Sequence, residues 1–406
     1  MSRDEGGSRT APTPDVCGLF SPGFLTLNFQ FGLVTAIAAL FFAFSGYLQS
    51  LGVNPAMAGF IISADALAAL VVQPAITPLV HAGTASRWLA GGSLLLAAAL
   101  FMVGHVTSVP LLVAARLLQG SGFICVLAAL ITKVVLFIPP EMSGRAFGWI
   151  SLVRLVPYAV IPPLFDLFRI APSSFGSILN IAAVAALIPL LILMLPLPRH
   201  AVQRDGHPVA GTTDMRASLR SPVVLMLLIS VLLFFCGYSA VFFYLKQFGA
   251  HRGIADISLF FTIATVVMIA ARLFGGWLFD RCSKVLLCGA GLFLASVSYL
   301  LLPFCIAGHM FLIPAFFAGL GWGIAMPLQA AVMFDISEPR VRGMNQNLLI
   351  VMMQGGFFVG PFLAGRMIAV AGYAALFFTL AAATLAAMAM MAGIRLCSAS
   401  NRNRGD

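Results

Sequence analysis

The run "VPLLVAARLLQGSGFICVLAALITKVVL", Val109 to Leu136, decides the fold. Its 28 residues include two cations, Arg116 and Lys133, and no acid. As a helix it would extend about 42 Å, more than enough to cross a hydrocarbon layer of about 30 Å. A guanidinium inside such a run is costly unless it meets water or a carboxylate. Arg116, followed within a turn by Gln119, Gly120 and Gly122, therefore points to a polar interior shared with neighbouring helices.

The rest of the chain is of the same kind. Hydrophobic residues make up 61% of the 406 and charged residues 9%, and the mean hydropathy of +1.03 lies outside the range of soluble domains. Apolar runs of spanning length recur twelve times. The first six are Leu25–Ser50, Ala56–Val80, Trp88–Val103, Val109–Leu136, Phe147–Phe168 and Gly176–Leu197. The second six are Val223–Tyr244, Ile257–Leu278, Val285–Ile306, Met310–Phe334, Gly343–Ile368 and Ala374–Ile394. The expected fold is all-α and membrane-spanning. It has a tail (1–24), a six-helix bundle (25–197), a loop (198–221), a second bundle (222–394) and a tail (395–406).

Lysine and arginine sit mostly on one side of these spans. Fifteen fall in the segments on the side of the termini, against Arg169, Lys246 and Arg252 on the other. The positive-inside rule then places both termini in the cytoplasm. The net charge of +10 reflects topology rather than nucleic-acid binding. A cleaved signal peptide is not expected, because the run after the polar first 24 residues is too long for a signal h-region.

The halves resemble each other. "YLQSLG" (Tyr47–Gly52) returns as "YLKQFG" (Tyr244–Gly249) and Arg145 as Arg342, each 197 residues on, and Gly120 and Gly122 return as Gly319 and Gly321 at 199. A duplicated six-helix unit is a common plan for secondary transporters. Runs 3, 6, 9 and 12 hold no ionisable residue, as expected of helices facing lipid, so the other eight should enclose the polar interior. Lys133, Arg272 and Arg366 fall near run ends and are expected to snorkel to head groups. Arg154, nine residues past interfacial Arg145, should lie about 13 Å deep.

These residues resemble the major facilitator superfamily, and within it the twelve-helix, drug:proton antiporter-like group. Arg116, Gln119, Gly120 and Gly122 match its fourth-helix pattern R-x-x-Q-G-x-G. "GWLFDRCSK" (Gly276–Lys284) is similar to its loop signature G-x-L-x-D-R-x-x-[RK], and "GGFFVGPFLAG" (Gly355–Gly365) to its glycine–proline hinge motif. Two places depart from the pattern. The first-half loop "PLVHAGTASRW" keeps Arg87 but lacks the acid, and of the antiporter motif in run 5 only Gly148 and the proline, Pro162, remain, with Pro157 and Ile161 at its other positions. The resemblance implies the major facilitator fold and a gating role for Gly276, Asp280 and Arg281, the short loop latching the halves by charge pairing. Gly360 and Pro361 would be the hinge of run 11.

Asp65 is the one deep acid of the first half, which makes it a plausible partner for Arg116. Two readings stand: a structural pair, or a pair that exchanges a proton, since desolvation and a neighbouring cation move a carboxyl pKa in opposite directions. Gln30, Tyr47, Gln119, Arg154, Tyr238, Trp322 and Gln329 are the candidate cavity residues. The aromatic run around Tyr238 could be either packing or a binding wall.

The expected activity is proton-coupled transport by alternating access, exporting a small amphipathic or organic-anion compound across a bacterial-type inner membrane. The alternative is uptake of a specific metabolite by symport or facilitated diffusion. A membrane enzyme is disfavoured, because no H-x4-D, no H-E-x-x-H and no nucleophile elbow occurs. No cofactor is expected, and there is no P-loop through which ATP could act. The histidines and seven cysteines show no ligand spacing, so no metal site is assigned. The expected partners are the substrate, protons and lipid, with the chain a monomer.

Overall fold

The computed structural model describes residues 19–53, 55–168, 171, 174–194, 211–254 and 257–402, and among these there are helices and turns but no strand. Most of the expected N-terminal tail (1–18), part of the central connection (195–210) and the last residues (403–406) lie outside the described residues.

Span 1 is Pro22–Leu40, continued through a 3-10 turn at Phe41–Ala43 into Phe44–Ser50. Spans 2 to 5 are Pro55–Ile76, Ala85–His105, Val109–Val134 and Ser143–Leu167. Span 6 is Phe175–Ala185 followed by Ile188–Met194. In the second half, spans 7 to 10 are Pro222–Arg252, Ser258–Arg281, Lys284–Leu301 and Leu312–Ile336. Spans 11 and 12 share the helical stretch Arg342–Arg402, which is divided at Gly372, where φ is 78°. Ten of these helices are long and apolar enough to cross a membrane unaided. Spans 2 and 5, which carry Asp65 and Arg154, run 22 and 25 residues.

Helix is the expected solution, because hydrocarbon offers no partner to a free N–H or C=O. Ends are managed locally. Pro22 opens span 1, and the Ser21 hydroxyl accepts a 3.3 Å hydrogen bond from the Phe24 amide. The connection read as loop at 198–221 contains a short helix, Thr212–Arg220. The Asp214 side chain accepts from the Gly211 amide at 2.8 Å and pairs with Arg340, pinning this helix to the turn before span 11.

The internal duplication is visible in the packing of glycines. A side chain on Gly120 would strike the backbone of Asp65 in span 2, and one on Gly319 the backbone of Ala264 in span 8. Gly122 lies against Leu96 of span 3, and Gly321 against Ala295 of span 9. Both partner pairs are again 199 residues apart. The same close approach of small residues is thus built twice. What differs is the polar chemistry laid over it, because Asp65 and Arg116 correspond to Ala264 and Ala315.

The apolar core divides unevenly. One buried cluster joins the second half to the ends of spans 1 to 5 on the arginine-rich face, through residues such as Phe31, Ile76, Leu130 and Phe147. A separate cluster, including Phe44, Leu96, Leu112 and Phe175, fills the opposite end of the first half without reaching the second. Among the described residues, the halves therefore share a buried apolar core at the arginine-rich face and not at the other.

Candidate functional site

Arg116 is held by span 2 and by its own helix. One terminal nitrogen donates to Asp65 Oδ1 at 2.7 Å and to the Ile62 carbonyl at 2.9 Å, the other to Gln119 Oε1. The guanidinium carbon lies 4.3 Å and 5.1 Å from the ring centroids of Phe41 and Phe44. With only 2% of its side chain exposed, Arg116 is a buried cation, whereas Asp65 is 36% exposed. Gly120 explains the meeting: without a side chain there, span 4 comes close enough to span 2 for the arginine to reach the carboxylate. The asymmetry in exposure leaves the carboxylate end of the pair accessible and the arginine end enclosed.

A second group of charges spans the two halves. Arg272 was expected near a head group but is 6% exposed, in the middle of span 8. Its NH1 donates to the Ser151 carbonyl of span 5 at 2.9 Å and its NH2 lies 3.2 Å from Met326 Sδ, while its Nε has no hydrogen-bond partner. Span 8 extends to Arg281, nine residues further on, so its interface lies too far away for Arg272 to snorkel. Arg154 is one turn beyond Ser151, half-buried, and makes no hydrogen bond or ion pair among the described residues. It lies within electrostatic range of both Arg272 and Tyr158. Tyr158 in turn is in range of Asp65, and Tyr238 is in range of Arg272 and Tyr158.

Aromatic side chains cluster around Tyr238 in the second half. Tyr238 lies edge-on to Trp322 at 4.7 Å and to Phe357 at 5.8 Å, and stacks on Phe242 at 6.4 Å. The Trp322 indole N–H is turned away, donating to the Tyr299 hydroxyl at 2.9 Å within the second half. What Trp322 offers Tyr238 is therefore its ring.

The remaining candidates are more scattered. Gln119 belongs to the Arg116 group. Gln30 in span 1 and Gln329 in span 10 are buried with unpartnered amide atoms. Tyr47 lies within the first half, against Phe175 of span 6 and 3.5 Å from the Gly104 carbonyl. Gly360 lies against Cys236 and Ser239 of span 7, and the Pro361 carbonyl accepts from the Tyr244 hydroxyl at 3.1 Å. The backbone stays helical there, the non-helical point of the stretch being Gly372. Among the described residues, no three His, Cys, Asp or Glu gather where they could hold a metal ion.

At the arginine-rich face the halves are tied by charge. Asp280, at the end of span 8, accepts from the Arg145 amide at 3.0 Å, and its other oxygen is 3.4 Å from Arg145 Nε. It thus sits at the positive N-terminal end of span 5. Gly276 packs against the Arg145 side chain. Lys284 pairs with Asp335 at 2.7 Å, and the Ser143 hydroxyl donates to Asp335 at 2.6 Å while accepting from Lys284 at 2.7 Å. Deeper in, Asn347 of span 11 accepts from Gln73 of span 2 at 3.2 Å and donates to Thr132 of span 4 at 3.0 Å. Arg281 was expected in this latch but is exposed and stacks on Trp277 of its own helix, 4.2 Å from the ring centroid. The ion pair that crosses between the halves is Arg145–Asp280, and Lys284 reaches the first half through the Ser143 hydroxyl.

Sequence reasoning did not single out Tyr158, Arg272 or Asp335. For Arg272 a signal existed, since a cation six residues inside an apolar run is already deeper than a free head-group contact requires.

Comparison with known proteins agrees with this architecture. The profile of the Major Facilitator Superfamily matches residues 25–345 and 254–404. The chain is 25% identical over 256 residues to the purine ribonucleoside efflux pump NepI of Salmonella paratyphi A, covering 61% of this chain and 62% of that one. It is 27% identical over 151 residues to the quinolone resistance protein NorA of Staphylococcus aureus, covering 36% and 38%. Each match spans less than two thirds of the relative. Among solved structures, the superfamily transporter FucP in the outward conformation superposes with a TM-score of 0.75 at 15% identity, over 93% of this chain and 99% of that one. The human organic anion transporter MFSD10 superposes with 0.73 at 14% identity, over 91% and 98%.

Proposed function

Since the chain belongs to the Major Facilitator Superfamily, and is thus a membrane transporter rather than an enzyme, we propose that it is a proton-coupled secondary transporter exporting a small amphipathic or organic-anion compound by alternating access. The observation that carries this reading is the Asp65–Arg116 pair, buried at the arginine and open at the carboxylate. Export is favoured because the relatives NepI and NorA are named as an efflux pump and a resistance protein. Uptake of a metabolite remains the second reading.

The arginine-rich face is taken as cytoplasmic, with both termini inside a bacterial-type inner membrane and the chain a monomer. The conformation described is then closed to the cytoplasm and open outward. In this state Asp65 can take a proton from outside. Protonation neutralises the carboxylate and releases the Arg116 guanidinium from its ion pair, so the two protonation states differ in how span 2 is held to span 4, and that difference lets the proton bias the conformational equilibrium. Opening inward, the carboxyl loses its proton and the cavity takes up substrate for the return. Substrate affinity resides in the cavity wall rather than in the pair, so proton entry and substrate exit alternate.

The test is counterflow in proteoliposomes with a metabolite extract, read by mass spectrometry, with proton movement followed by a pH-sensitive dye. Substrate exchange together with substrate-dependent proton movement supports the reading. Exchange without proton movement leaves uniport.

A further inference from the structure

The geometry points to a two-arginine subsite, Arg154 from the first half and Arg272 from the second, that grips the single acidic head group of an aromatic substrate. The inference rests on the transporter reading and names its substrate class more closely.

Four ion pairs occur among the described residues: Asp65–Arg116, Asp280–Arg145, Asp335–Lys284 and Asp214–Arg340. Neither Arg154 nor Arg272 is in any of them. Arg272 is hydrogen-bonded to the Ser151 carbonyl and Arg154 follows three residues later on the same helix face, so two guanidiniums meet at one turn of span 5, where like charges repel. Arg272 is anchored by one terminal nitrogen to Ser151, leaving Nε buried and unpartnered. A buried, unsatisfied donor on a fixed side chain is a site waiting for an acceptor. Arg154 projects from the same face of span 5, one turn outward of that anchor, with its fork unengaged. A carboxylate or comparable oxyanion lodged between them would satisfy both and cancel the repulsion.

The body of the ligand follows from the wall beside the arginines. Tyr238, in range of Arg272, presents its ring together with Trp322 and Phe357, and the hydroxyl of Trp322's partner Tyr299 is already bonded. Flat apolar surface next to a paired cation suits an arene bearing one acid. Because the arginines belong to different halves, the bound anion also bridges the bundles, and its presence favours their approach on the outer side.

The test uses the purified full chain in nanodiscs and tritiated 2-naphthoate. Unlabelled 2-naphthoate, 2-naphthamide and 2-naphthylmethylammonium serve as competitors. Saturable binding displaced by the acid and not by the amide or the amine is expected. Arg154→Gln should weaken binding about ten-fold or more, and Arg154→Lys should restore part of it. Arg154 has no hydrogen bond to lose, so the variant should keep its gel-filtration profile; if it does not, competition on the unaltered chain still decides. Failure of 2-naphthoate to bind, equal displacement by the amide, or unchanged affinity in Arg154→Gln would overturn the subsite. Metabolite counterflow on the same preparation separates the two readings. Transport with no preference for the acid removes the anion subsite alone, whereas acid-selective binding without any counterflow keeps the subsite and removes transport.

Discussion

Gly120 packs so tightly on Asp65 that a Cβ placed on the glycine would lie 2.7 Å from the aspartate Cα, closer than any real contact. The approach of span 4 to Asp65 is therefore set by a missing methyl group. Gly120→Ala has to move span 2 or span 4 by backbone displacement, at a cost of about 1–3 kcal/mol. The expected result is a lowered Tm with a disproportionate loss of proton-driven transport, because the displaced backbone is that of Asp65. Gly289, near Met388 at 3.8 Å, has room for a methyl and is the control: Gly289→Ala should leave both unchanged.

Asp65→Asn keeps the size and a carbonyl acceptor for Arg116 but cannot cycle a proton. Transport driven by a pH gradient should be abolished, while substrate-for-substrate exchange should survive in part. Dye-reported proton flux in proteoliposomes decides, and persistent substrate-dependent flux would remove Asp65 from the coupling role.

Arg116→Ala is expected to be the more damaging change. It empties a site filled by a nearly fully buried side chain that touches Asp65, Ile62, Gln119 and two phenylalanine rings. The carboxylate left behind is 36% exposed, so the loss comes mainly from the emptied volume and the broken contacts to spans 1, 2 and 4 rather than from a stranded buried charge. Arg116→Lys should fall between the two, because an ammonium cannot fork to both Asp65 and Gln119. Thermal unfolding and folded yield should rank wild type above Arg116→Lys, and Arg116→Lys above Arg116→Ala.

Asp280→Asn should slow transport without impairing folding, since the carboxylate meets Arg145 and the start of span 5 across the two halves, a contact expected to part when the arginine-rich face opens. Adding Lys284→Ala removes the second tie to Ser143 and Asp335. Spin labels at the ends of spans 5 and 8 should show a larger share of long distances in the double variant than in either single one. Identical distance distributions in all three would mean that these charges do not hold the gate.

The repeat, the spans and the Asp65–Arg116 meeting were legible because each depends on something one-dimensional. Hydropathy measures length, the constant offset reveals duplication, and Arg116 had one deep acid to choose from in its half. Arg272 was misread because a run of apolar letters does not mark where the interface cuts the helix. Span 8 continues past Leu278 to Arg281, and that extra turn puts Arg272 in the interior. Lys284, the first residue of span 9, meets Asp335 and Ser143, a contact that depends on how spans 5, 9 and 10 come together and that no spacing in the sequence marks. Tyr158 carries no signal in the sequence, and only the third dimension brings it within electrostatic range of both Asp65 and Arg154.

The alanines at 264 and 315, where a symmetric duplicate would have kept an acid and an arginine, bear on the work the protein can extract from its membrane. Under the proposed coupling, the Asp65–Arg116 pair would handle one proton in each turnover, and the stoichiometry would then be set by the sequence. Exchanging one proton inward for one monoanion outward carries two positive charges in the same direction, which makes the cycle electrogenic. Each charge gains roughly 2.3 kcal/mol for every 100 mV across the bilayer. The attainable ratio of exported anion should then follow the membrane voltage more steeply than the pH difference, and an acid–arginine pair restored at 264 and 315 would be the means of changing that exponent.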